Sequence, residues 1–131
     1  MKVPISNLIG EIEGKGLKQI LAGLELGRIN VAARGVGVAR ASLEDSIEYA
    51  KTRKTFGKPI SEHQSIQIKL AEMATKLEAS RLLTEQAAKA YDSGKRSDLQ
   101  AGMATLCATE TAFMNSTEAR RMQGGLGQST E

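Results

Sequence analysis

From about Leu17 to Ala50 the apolar residues recur at steps of three and four. Ile29, Ala32, Val36, Ala39, Leu43, Ile47 and Ala50 fall along one helical face, while Asp45 and Glu48 fall off it. A pattern of roughly 35 residues predicts a helix about 50 Å long. A second periodic stretch begins near Ser61, a residue type suited to an N-cap. Its seam runs through Ile66, Leu70, Met73 and Leu77 to Leu82, Leu83, Ala87, Ala88 and Tyr91, and Asp92-Ser93-Gly94 ends it. A third helix follows Ser97-Asp98, carries Leu99, Met103, Leu106, Phe113 and Met114, and stops at Gly124-Gly125. Short loops between long helices favour antiparallel neighbours. The expected fold class is therefore all-α: long antiparallel helices forming an up-down four-helix bundle that lacks one member.

The segment from Met1 to Gly16 reads differently. Val3-Pro4 favours an extended backbone, and Gly10, Gly14 and Gly16 punctuate a polar stretch, as at the end of a strand followed by a loop. With a strand tail at one end and no fourth helix at the other, the expectation is a segment of a longer protein. Gly23, Gly27, Gly35 and Gly37 lie inside the first helical pattern and each costs about 1 kcal/mol relative to Ala. Close approach of a ligand or of a second helix compensates such a cost. Tight helix packing is the reading for Gly35 and Gly37.

Composition narrows the class. The chain has 131 residues, 40% of them hydrophobic but only 3% aromatic, so its core must come from aliphatic side chains, Met and Ala. The net charge of +3 comes from 18 basic and 15 acidic residues in alternation, a solvated mixed surface that points away from nucleic acid. Cys107 is the only cysteine, which excludes a disulfide framework and predicts a small buried thiol on a helix. No apolar run is long enough to cross a bilayer. The expected location is the cytoplasm, or the mitochondrial matrix in a eukaryote.

The candidate chemistry concentrates where the first helix must break. Arg53-Lys54-Thr55-Phe56-Gly57-Lys58-Pro59 is followed by Glu62-His63-Gln64. Gly57 and Pro59 interrupt the helix, and cations near a helix C-terminus offset its partial negative charge. A helix–turn–helix corner accounts for most of these residues. Arginine, threonine and backbone N–H groups also suit a diphosphate, and Phe56 beside them suits the flank of a planar ring.

Taken in order, Val3-Pro4, Asn7-Leu8-Ile9-Gly10, Gly14-Lys15-Gly16, Gly23-Leu24-Glu25 with Arg28, the Arg53–Pro59 run with His63-Gln64, Leu70-Ala71-Glu72-Met73 and Gly124-Gly125 with Gly127 resemble the acyl-CoA dehydrogenase family. Residues 1–14 resemble the tail of that family's middle β-domain and linker. Residues 15–131 resemble its C-terminal helical domain without the last helix. The resemblance implies an FAD-dependent enzyme of fatty acid metabolism. Such an enzyme oxidises an acyl-CoA to the trans-2-enoyl-CoA and passes electrons to an electron-transfer flavoprotein. A carboxylate takes the α-proton and the flavin takes the β-hydrogen as hydride. It also implies a homo-oligomer, dimer or tetramer. Acyl-CoA oxidases and flavin-dependent monooxygenases share this helical domain. A cofactor-free helical assembly module is the reading from another class.

Residue by residue, the resemblance makes Arg53 a ligand of the FAD diphosphate of a neighbouring subunit. Thr55, Phe56 and Gln64 fall where the family packs against the same cofactor. Gly124 and Gly125 match a Gln-x-x-Gly-Gly segment at its adenosine half, with Arg121 standing where the family has Gln. Glu25 and Arg28 match residues near the acyl-CoA, although at i, i+3 they also suit an ion pair with each other. The catalytic base of most members lies in a loop that would follow Glu131. Other branches place a glutamate at the position of Gly27, and Glu25 is about 200° around the helix from it. No catalytic residue is therefore assigned in this chain. His63, lacking Cys, Asp or Ser partners at useful spacing, reads as structural.

Overall fold

The computed structural model describes residues 4–10 and 12–128; Val3, on which part of the extended reading of the N-terminus rests, lies outside them. Pro4 is extended, at φ −57° and ψ 141°, but Ile5–Asn7 forms a 3-10 turn and no strand follows among the described residues before the first helix. Three long helices account for most of the remainder: α1 (Gly16–Thr52), α2 (Gln64–Asp92) and α3 (Asp98–Gln123).

α1 stops where Arg53 turns extended, its N–H still bonded to the Tyr49 carbonyl at 2.9 Å. The break is more ordered than a plain corner. β1 (Lys54–Thr55) and β2 (Lys58–Pro59) pair antiparallel, Lys54 opposite Pro59 and Thr55 opposite Lys58. Phe56 and Gly57 both have positive φ, 50° and 81°, as a two-residue hairpin turn with the right twist requires. The Ile60 N–H closes the unit on the Arg53 carbonyl at 2.9 Å. Ile60–Glu62 then forms a 3-10 turn, and His63, not Ser61, occupies the N-cap of α2. Ser61 is displaced from that role because the hairpin is followed by this extra turn. Its carbonyl instead accepts the Gln67 side chain at 3.0 Å.

The bundle runs up, down, up. α1 and α3 are parallel, as Glu25 meets Ser97 near one end and Tyr49 meets the Gln123 carbonyl near the other. α2 runs against both: Lys69 meets Glu118, and Ser80 meets Thr111.

The core is made of small side chains. Ile29, Ala32, Ala87, Ala101, Ala104 and Ala108 form its apolar centre, and Ser46, Ser80, Thr111 and Asn115 are buried around them. Asn115 donates to the Ala39 carbonyl at 3.2 Å and the Met73 carbonyl at 3.3 Å, so one amide joins all three helices. The close approach expected at Gly35 is present, against Ala108. Gly37 is exposed with nothing within 4 Å of where a Cβ would stand, contrary to the same expectation.

The large apolar residues that α3 carries point outward. Leu106 is 62% and Phe113 is 75% exposed, with Leu99, Met103 and Met114 exposed beside them. The inward face is instead Ala101, Ala104, Ala108, Thr111, Asn115 and Ala119. Leu82 and Tyr91 of the second seam are exposed as well. Cys107 is only half-buried, with its Sγ 3.3 Å from the Ser80 hydroxyl. Among the described residues no helix is long and apolar enough to cross a membrane.

Candidate functional site

The hairpin presents its chemistry at one end of the bundle. Thr55 and His63 are linked, Oγ1 to Nε2, at 3.1 Å. The Phe56 ring stands edge-on to the His63 ring, centroids 6.2 Å apart and planes 80° apart. Phe56 is nonetheless 97% exposed and sits in the left-handed region, which a bulky residue adopts at a cost. Thr55, Phe56, His63 and Ile66 line an open hollow of about 340 Å³ together with Arg121 of α3. His63 therefore supports Thr55 and Phe56 through its ring. Sequence spacing could not show this, because the contact depends on the hairpin.

Arg121 also lines a neighbouring hollow of about 310 Å³ with Thr117, Arg120, Gly124 and Gln128. Gly124 ends α3 at φ 61°, its N–H on the Arg120 carbonyl, and the Arg120 guanidinium donates to Gln128 Oε1 at 2.8 Å. Arg120, one of two adjacent arginines before the glycine pair, lines this hollow although the resemblance does not single it out. Arg121 is held by Glu118, which Lys69 of α2 also bonds. Hydrogen bonds from Lys69 and then Arg121 hold the Glu118 carboxyl below its ordinary range, outweighing the opposing effect of burial.

Arg53 lies at the base of the hairpin, exposed, and forms no side-chain ion pair among the described residues. Gln64 is exposed in the first turn of α2. Gly125 is exposed with nothing within 4 Å of where a Cβ would stand. None of these three lines either hollow, so the structure joins Thr55, Phe56, Arg121 and Gly124 and leaves Arg53, Gln64 and Gly125 on the surrounding surface.

Glu25 and Arg28 belong to a different place. Arg28 is 25 residues before Arg53 on one continuous helix, about 37 Å along its axis. Glu25 does not pair with Arg28; its Oε2 accepts the Ser97 hydroxyl at 3.1 Å, and Arg28 is exposed. Gly27 between them opens onto free space. Among the described residues no cluster of His, Cys, Asp and Glu could hold a metal ion.

Comparison with known proteins supplies the family. The model described as "Acyl-CoA dehydrogenase, C-terminal domain" matches residues 14–131. The chain is 44% identical to the short-chain specific acyl-CoA dehydrogenase of Megasphaera elsdenii over 131 residues, all of this chain and 34% of that protein. It is 41% identical to the caffeyl-CoA reductase–Etf complex subunit CarC of Acetobacterium woodii, over 97% of this chain and 33% of that one. The solved butyryl-CoA dehydrogenase of Megasphaera elsdenii superposes with a TM-score of 0.95 at 43% identity, covering 98% of this chain and 33% of that structure. The chain thus spans about a third of the length of these relatives. In sequence and in fold, the chain belongs to the acyl-CoA dehydrogenase family of oxidoreductases and matches its C-terminal domain.

Proposed function

We propose that this chain is the C-terminal helical part of an FAD-dependent acyl-CoA dehydrogenase, contributing cofactor contacts at the hairpin end and substrate contacts at the other end of α1. The observation that carries the reading is the hairpin hollow. Phe56, Thr55 and Arg121 line one opening with an aromatic ring, a hydroxyl and a guanidinium, and Arg53, without an ion pair among the described residues, lies at the base of the same hairpin. Those groups fit a planar ring joined to phosphates, since Arg recognises phosphate through paired N–H donors and Phe offers a flat apolar face. Gln64, Gly124 and Gly125 complete the cofactor-facing surface in this reading.

Glu25 and Arg28 lie about 37 Å along α1 from Arg53, and in this reading the two ends of α1 serve two different copies of the site in an oligomer. The uncovered apolar face of α3 supports it, because exposed apolar patches mark association surfaces. Bound flavin would supply the hydride acceptor. The chain's own residues bind and orient, and the proton acceptor must come from elsewhere, since Gly27 carries no side chain to serve. The chain alone is accordingly inactive and does not retain FAD. An Etf-complex subunit among the relatives supports an electron-transfer flavoprotein as the electron acceptor.

A chimera tests the reading. The segment of the Megasphaera elsdenii short-chain dehydrogenase that matches this chain is replaced by residues 1–131, and the purified protein is examined for flavin absorbance and butyryl-CoA-dependent dye reduction. Retained flavin with turnover is the expected result. A folded, soluble chimera that purifies colourless and gains no colour with added FAD would refute the cofactor role.

A further inference from the structure

Ser97 stands at the N-cap of α3, where a serine ordinarily bonds an amide of its own first turn. It makes no such bond. Its side chain is completely buried, and its hydroxyl donates across the bundle to Glu25 of α1 at 3.1 Å. Two turns into α3 the Thr105 hydroxyl reaches the same part of α1, sharing its one proton between the Arg28 carbonyl at 2.9 Å and the Ala101 carbonyl of its own helix at 2.8 Å. The Glu25–Arg28 turn is therefore held at two points by α3, once through a side chain and once through the backbone.

We propose that Ser97 is a positioning residue: it gives up capping its own helix to fix the Glu25 carboxylate and, with Thr105, the turn of α1 that presents Arg28. This rests on the reading of that turn as facing acyl-CoA. With Oε2 taken by Ser97, Oε1 of Glu25 is left as an acceptor, with the Arg96 guanidinium close enough to interact with the same carboxylate by charge. An acceptor held in that way suits a ligand N–H or O–H, such as an amide of the CoA arm, and disfavours an anionic group. Arg28, exposed and free of Glu25, is left for a carbonyl or phosphate oxygen.

Amide hydrogen exchange on the 131-residue chain tests this. Losing a hydrogen bond to a carboxylate should open the held turn, so Ser97→Ala should speed exchange at residues 22–29 about tenfold. Ser97→Thr, which keeps the hydroxyl, should restore the parent rate. Ser97→Ala should add nothing further at residues 22–29 in a Glu25→Ala background. Faster exchange confined to residues 98–101 would make Ser97 an ordinary cap and overturn the proposal, as would unchanged rates at 22–29. Should Ser97→Ala fail to fold, Glu25→Ala removes the same bond from the other side, with faster exchange at 22–29 expected and no change refuting it. No ligand enters the measurement, so its failure leaves the acyl-CoA reading standing, while a colourless chimera leaves this positioning role untouched.

Discussion

Gly35 lies directly against the backbone of Ala108: a Cβ built on Gly35 would sit 2.8 Å from the Ala108 carbonyl oxygen and 3.2 Å from the Ala108 Cβ. α1 and α3 touch backbone to backbone there, and no side-chain rotation can relieve the contact. Gly37, two residues on, faces open space. Gly35→Ala should therefore force the helices apart and cost about 1–3 kcal/mol. Gly37→Ala should raise stability by about 0.5–1 kcal/mol through helix propensity alone. Urea midpoints of the two variants should move in opposite directions; a shift of the same sign in both would remove the packing argument.

Much of the fold was legible in the sequence, and the departures share a physical cause. Helix number, span and order follow from the three- and four-residue steps, and the ends at Asp92 and Gln123 follow from glycines. The inward face of α3 was not legible by hydrophobicity. Periodicity weights Leu99, Leu106 and Phe113, but this interface selects for small size, and Ala101, Ala104 and Ala108 carry little hydropathic signal. Ser61 failed as a cap because a hairpin and a 3-10 turn intervene before His63. Of the candidate site, Thr55 and Phe56 with Arg121 were brought together from residues more than sixty positions apart. Only the resemblance to a family connected them beforehand. Their support by His63 depends on a turn geometry that spacing does not encode.

Asn115 is 1% exposed and its amide joins α1 and α2 to α3, while its Oδ1 has no hydrogen-bond partner. Asn115→Ala should cost about 2–3 kcal/mol, from two lost bonds and the cavity left behind. Asn115→Asp should cost more at neutral pH, because a buried charge would then face two carbonyl oxygens. The gap between the two variants should narrow in acid as the aspartate is protonated. Denaturation of both across pH gives the comparison, and equal stability at neutral pH would contradict it.

The Lys69–Glu118–Arg121 network ties α2 to α3 beside the hairpin hollow. Its carboxyl is depressed below an ordinary value of about 4.5 in the folded protein. A depressed folded-state value means the network stabilises above the unfolded value and loses that contribution as pH falls through the folded one. Glu118→Gln should lower stability by about 1 kcal/mol at neutral pH. The deficit should shrink as pH falls below about 4.5 and be lost once the carboxyl is protonated in the folded protein as well. A deficit independent of pH would mean that packing, not charge, is what Glu118 supplies.

Leu106 and Phe113 stand one above the other on the outer face of α3, two turns apart. Isolated in water, that face should pair with another copy, giving a dimer or larger species in sedimentation at micromolar concentration. Leu106→Glu with Phe113→Glu should release monomers with helical content unchanged. A parent chain that is already monomeric would count against the face as an association surface.

Arg53 is the sharpest test of the cofactor reading, because capping and phosphate binding predict different behaviour for the same side chain. As a phosphate ligand in the flavin-loaded chimera, it makes a charge-assisted bond worth roughly 1.5–3 kcal/mol. Arg53→Ala should then weaken FAD affinity by about ten- to a hundredfold, with the thermal midpoint of the helical domain held. Arg53→Lys should recover only part of the loss, since an ammonium cannot reproduce a planar two-pronged contact. As a helix cap, Arg53 would interact with the last carbonyls of α1 through charge alone, and Lys would serve about as well. FAD titrations of the two variants beside their melting curves separate the cases. A lowered midpoint with unchanged flavin affinity would reduce Arg53 to a cap and leave Thr55, Phe56 and Arg121 without their phosphate partner.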